Sequence, residues 1–150
     1  MMIGMAKAMG AVSVVNAIAS GKGATVSVEL PTAAKVAVRE ERGSWRALNN
    51  GQETKSRLVL SSLRLAISML GRDPGRYSGS VDTTLSAPMG VGLKTSSSTS
   101  IAVALAVWDA FGKSSPPSAE ILNAASVRPC RVESASPERW TTPLHACSGE

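Results

Sequence analysis

The stretch that decides the reading is PMGVGLKTSSSTSIAVALAVWDAF, residues 88–111. Two glycines, a lysine and a run of hydroxyl side chains lead directly into an apolar segment. Gly90 and Gly92 permit backbone dihedrals closed to other residues, so successive N–H groups can turn inward as an anion nest. The spacing predicts a helix over 96–111, anchored by Ile101, Val103, Ala104, Leu105 and Val107. Its first turn lies within the serine run, where a helix presents N–H groups without intrahelical acceptors and the positive end of its dipole. Thr95, Ser96, Ser97 and Ser98 add hydroxyls that can donate to phosphate oxygens, and Ser96 and Ser97 are the candidates for coordinating magnesium. Lys94 places a positive charge at a helix N-terminus, which is unfavourable without an anion. A polyphosphate suits the cradle made by Pro88, Met89, Gly90, Val91, Gly92, Leu93, Lys94, Thr95, Ser96, Ser97 and Ser98. A serine-rich helix cap is the plainer reading, but one or two serines suffice for capping.

Three established phosphate loops do not fit. A Walker A loop needs glycine directly before its lysine, and Leu93 precedes Lys94. The dinucleotide fingerprint needs a further glycine where Thr95 stands. The earlier stretch NAIASGKG begins with Asn16 in place of the first Walker A glycine and ends with Gly23 in place of the hydroxyl.

Outward from this loop, the pattern is α+β. ATVSVEL (residues 24–30) alternates and is valine-rich, Pro31 interrupts it, and AKVAVRE (34–40) alternates again. These predict two strands paired as a hairpin across Pro31 and Thr32. Residues 41–53 are polar, with Gly43, Asn49, Asn50 and Gly51, and predict an exposed loop. Leu58, Leu60, Leu63, Leu65, Ile67 and Leu70 predict a helix closed by Gly71, followed by a turn at Asp73-Pro74-Gly75. Tyr77 to Ser86 reads as a weak strand, and Ser118 to Val127 as a last helix behind Pro116 and Pro117.

The bulk composition narrows the class. With 150 residues, 43% hydrophobic and only 3% aromatic, the chain is one domain with an aliphatic core. A net charge of +5 favours anionic partners, but the basic residues are dispersed and few aromatics accompany them, which argues against nucleic acid. Cys130 and Cys147 make neither a disulfide framework nor a metal site. The apolar run from Ala11 to Ala19 is too short to span a bilayer and is interrupted by Asn16. It is expected to be a buried segment of a cytoplasmic protein, with no membrane partner.

Pro88-x-Gly90-x-Gly92-Leu93-Lys94 followed by Thr95-Ser96-Ser97 resembles the nucleotide loop of the GHMP kinases, and its GLK variant is similar to the archaeal-type shikimate kinase branch. Gly10-Ala11 followed by VNAIASGKG (residues 15–23) resembles that branch's N-terminal signature. The resemblance covers residues 2–128. It implies transfer of the ATP γ-phosphoryl group to the 3-hydroxyl of shikimate in chorismate biosynthesis, with ATP and Mg2+ as cofactors. It also implies an N-terminal domain of the ribosomal-protein-S5 domain-2 type, with the family's ferredoxin-like C-terminal domain expected to be missing here. Asn16 and Lys22 fall on the N-terminal signature and are the substrate-side candidates; a turn-forming Asn and a solvated Lys fit the residues equally well. Thr95, Ser98 and Thr99 depart from the branch, which places Ser at the first and small residues at the other two.

After Val127 the resemblance stops. The Asp-Asp segment that carries the family's expected catalytic aspartate is missing, so no catalytic residue is assigned. Residues 129–150 show no apolar period and carry both cysteines, His145 and Trp140. One GC-rich back-translation of Val132 to Glu150, read from the third base of the Val132 codon, gives RVGVTGALDDASACLLGG, which resembles the missing motif. Residues 129–150 are therefore expected to be an out-of-frame tail produced near codons 127–131. Two further readings remain open from sequence: a basic RNA-binding module on the same half-fold, and an inactive kinase fragment.

Overall fold

In MIGMAKAMGAVSVV, small residues alternate with larger ones, and that alternation builds the first strand, β1 (Met2–Val15). Gly4, Ala6 and Ala8 turn to the side that the helices cover, while Ile3, Met5 and Met9 are exposed on the other. A computed structural model describes residues 1–15, 22, 24–86 and 93–113. The candidate helix over 118–127 and the tail 129–150 lie outside the described residues.

The hairpin expected across Pro31 does not form. Residues 24–39 make one continuous strand, β2 (Ala24–Arg39), antiparallel to β1. Pro31 lies opposite Met9 at a register shift between Met9 and Gly10, and such an irregularity tolerates a residue with no N–H to donate. Beyond the shift the two strands run on as a ribbon, since β5 (Ser78–Leu85) pairs with β2 only from Thr32 to Arg39. The expected burial of the run starting at Ala11 is corrected for the same reason. Val12, Val14 and Val15 are exposed because no third strand among the described residues reaches them, and residues 16–19 lie outside the described set.

The expected loop over 41–53 contains two strands, β3 (Trp45–Asn49) and β4 (Gln52–Thr54). They turn through Asn50 and Gly51, both at positive φ, the dihedral demand of a tight hairpin turn. The polar sequence disguised β3, of which only Ala47 is fully buried. β3 pairs parallel to β5, giving a five-stranded sheet in the order β1-β2-β5-β3-β4.

Two helices cover the inner face. α1 (Arg57–Met69) starts at Ser56, whose hydroxyl accepts the Val59 amide at 3.4 Å, and buries Val59, Leu63, Ala66 and Ile67. It closes before Gly71, which adopts φ 70°. α2 (Thr95–Ala110) is buried on nearly all sides against β1, β2 and α1. It lies so close to β1 that a Cβ on Gly4 would strike the Ala106 carbonyl and the Ala110 amide. At its far end, the Arg72 guanidinium donates to the Tyr77 hydroxyl at 2.8 Å and stands 5.0 Å above the Phe111 ring. The C-terminal half of α2 is thereby fixed against β1 and the turn after α1. The α+β expectation is met, and among the described residues no helix is long and apolar enough to cross a membrane.

Candidate functional site

The start of α2 is where the two sequence motifs meet. Ala11, inside the N-terminal signature, donates its amide to the Leu93 carbonyl at 3.3 Å, so β1 and the glycine-rich segment are joined just before the helix. Lys94 follows as the N-cap, at φ 49° and ψ 34°, a left-handed conformation that non-glycine residues seldom adopt. Its carbonyl accepts the amides of Ser97 at 3.0 Å and Ser98 at 3.1 Å. The amides of Thr95 and Ser96 precede any intrahelical acceptor and open toward the mouth of the helix. No acidic side chain lies in this first turn to oppose an anion. Partial burial strips water from the Lys94 ammonium and holds its pKa below the usual lysine value.

The hydroxyl run divides into two sets. Thr95, Ser96 and Ser97 lie at the mouth, with Ser96 exposed and the other two half-buried. Ser98, Thr99 and Ser100 are buried and bond back into the helix. The Ser98 and Thr99 hydroxyls donate to the Thr95 carbonyl at 3.0 and 2.7 Å, and Ser100 donates to the Ser96 carbonyl at 3.1 Å. Ser98 was expected among the hydroxyls facing the phosphates. The structure turns its side chain into the core instead, because the helical periodicity carries that position beneath the first turn, onto β2. Its partner there is Thr32 Oγ1, at 2.9 Å. Thr32 is a residue that sequence reasoning missed, since it stands beside the proline read as a turn.

Of the other candidates, Lys22 is described and exposed. Asn16 and residues 88–92 (Pro88, Met89, Gly90, Val91 and Gly92) lie outside the described residues. Among the described residues, no group of three or more His, Cys, Asp or Glu is placed to hold a metal ion.

Comparison with known proteins places this geometry. The chain is 36% identical over 115 residues to a shikimate kinase of Methanococcoides burtonii, covering 76% of this chain and 39% of the relative. It is 34% identical over 115 residues to a shikimate kinase of Methanosarcina acetivorans, covering 76% of this chain and 38% of the relative. This chain is a homologue of the archaeal shikimate kinases. No family model matches it. The homologue spans about two-fifths of the length of these curated relatives. Its fold is similar to that of the Methanococcus jannaschii mevalonate kinase, with a TM-score of 0.68 at 14% identity over 81% of this chain and 44% of that one. The architecture is that of the N-terminal part of a GHMP kinase.

Proposed function

We propose that this chain carries the nucleotide-binding half of a shikimate kinase, in which the γ-phosphoryl group of ATP passes to the 3-hydroxyl of shikimate in chorismate and aromatic amino acid biosynthesis. The identity to shikimate kinases over 115 residues carries this reading. The site is consistent with it. Phosphoryl transfer demands positioning and neutralisation of charge more than covalent participation by the protein. The Thr95 and Ser96 amides and the Lys94 ammonium would hold phosphate oxygens at the positive end of α2. The Ser96 and Ser97 hydroxyls would hold Mg2+, which neutralises charge on the phosphates. Lys22 and Asn16 would contact shikimate. No described carboxylate is assigned as the base that accepts the proton of the shikimate hydroxyl; in this reading that group is an aspartate of the Asp-Asp segment that the resemblance implies.

The test has two parts. Sequencing the DNA from codon 120 onward shows whether a shifted frame reads VTGALDDA and continues. The continued form is expected to release ADP only when shikimate is supplied, and the 150-residue chain to bind ATP without turnover. Turnover by the 150-residue chain would overturn the assignment of the base to the missing segment. A continued form indifferent to shikimate, or the absence of any continuing frame, would remove the kinase reading.

A further inference from the structure

Thr32 on β2 and Ser98 on α2 form a buried pair that sequence spacing could not place together. Each is only 2% exposed, and their hydroxyl oxygens are 2.9 Å apart. The Ser98 hydroxyl has one proton; either oxygen could donate across the gap to Thr32, and we assign the Ser98 proton to the Thr95 carbonyl at 3.0 Å. Thr32 is then the donor across the gap to Ser98. The Thr95 carbonyl belongs to the same peptide unit as the Ser96 N–H, one of the two amides left without an intrahelical acceptor at the mouth of α2. Hydrogen bonds in series polarise one another, roughly 10–30% per bond. Protons donated to one end of a peptide unit therefore make its N–H at the other end a stronger donor.

We infer that Thr32 and Ser98 are positioning residues for the anion site: a relay from the Thr32 hydroxyl through Ser98 and the Thr95 carbonyl strengthens and aims the Ser96 amide at phosphate. This rests on the nucleotide-site reading above. The Thr99 hydroxyl adds a second donor to the same carbonyl at 2.7 Å, and the Ser100 hydroxyl acts equivalently on the Ser96–Ser97 peptide at 3.1 Å. A plain tie between helix and sheet would need no particular donor order. A relay does, because only a hydroxyl at position 32 can donate into Ser98.

Threonine has two near-substitutes that separate these roles. Thr32→Val keeps the shape and removes the donor, whereas Thr32→Ser keeps the donor and removes a methyl group. The 150-residue chain and both variants are titrated with inorganic tripolyphosphate and with ATP, the Ser96 amide proton is followed by NMR, and thermal midpoints are recorded. Thr32→Val is expected to bind roughly 1.3- to 4-fold more weakly, the loss of about 10–30% of one hydrogen bond to a charged group, with an upfield shift of the Ser96 amide proton. Thr32→Ser is expected to bind like the parent despite its lost packing. If the parent binds and Thr32→Val binds equally well, or if affinity follows the thermal midpoint in both variants, the relay is refuted and the nucleotide site stands. If the parent chain binds neither anion while folded, the nucleotide-site reading fails and the relay falls with it.

Discussion

Gly4→Ala tests the packing that holds the site still. The added Cβ would lie 2.8 Å from the Ala110 Cα, with the Ala106 carbonyl and the Ala110 amide nearer still. All three are backbone atoms, so no rotamer change relieves the clash. Carbon atoms in contact prefer roughly 3.5–4.0 Å, so α2 must withdraw from β1 by about 1 Å, and a gap of that size forfeits a quarter to a half of the dispersion attraction across it. The face that loses contact includes Val103, Ala106, Val107 and Ala110, all buried. Overpacking of this kind costs about 1–3 kcal/mol, and because the obstruction is backbone the upper end applies, about 3 kcal/mol. For a chain of 150 residues that is a fall in melting temperature of roughly 6–12 °C. Thermal and urea unfolding followed by circular dichroism measure it, with Gly51→Ala as the control. Gly51 sits at φ 76° with nothing within 4 Å of an added Cβ, so its substitution carries only the left-handed backbone penalty, about 1 kcal/mol. Equal midpoints for the two variants would refute the close seating of α2 on β1.

Leu63→Ala empties a fully buried position between α1 and the sheet and is expected to cost about 2–5 kcal/mol, read as a lower urea midpoint with a similar slope. Lys94→Gly keeps the left-handed backbone at φ 49° without a Cβ and removes the ammonium, so it should weaken ATP binding at least tenfold while the chain stays folded; a folded variant that keeps its affinity contradicts the role given to Lys94. The lowered Lys94 pKa also sets a pH dependence with a definite sign. The unfolded chain holds that proton more tightly than the folded chain, so the cost of burying the ammonium is present below the folded pKa and disappears as pH rises to 10.5. Anion affinity runs the other way, falling as Lys94 deprotonates below the ordinary lysine range, and Lys94→Arg should flatten that fall in a binding titration across alkaline pH.

The helix that carries the candidate site was legible because its signals are local. A lysine and hydroxyls before an apolar run mark its start, and α2 begins at Thr95, one residue before the position expected. α1 was equally plain, since its leucines recur at helical spacing and Gly71 ends it. β1 and β3 were not legible. The inner positions of β1 are Gly4, Ala6, Ala8 and Gly10, small enough for close approach by α2, and β3 buries Ala47 between Trp45 and Asn49, so neither strand carries much hydrophobic signal. Pro31 misled for a related reason: whether a proline ends a strand or rides on a register shift is settled by the partner strand.

The sequence by itself thus determined the two described helices flanking the sheet, because capping and periodicity act over a few residues. Only the tertiary structure decided the strand order, the parallel pairing of β3 with β5, and which hydroxyls of the serine run face outward. Ser96 and Ser98 are nearly neighbours in sequence, yet the helical turn sends one to the mouth of the site and the other onto Thr32, sixty-six residues away in the chain. That contact depends on how closely a helix can approach a strand with no side chain at Gly4, a distance that no local pattern encodes.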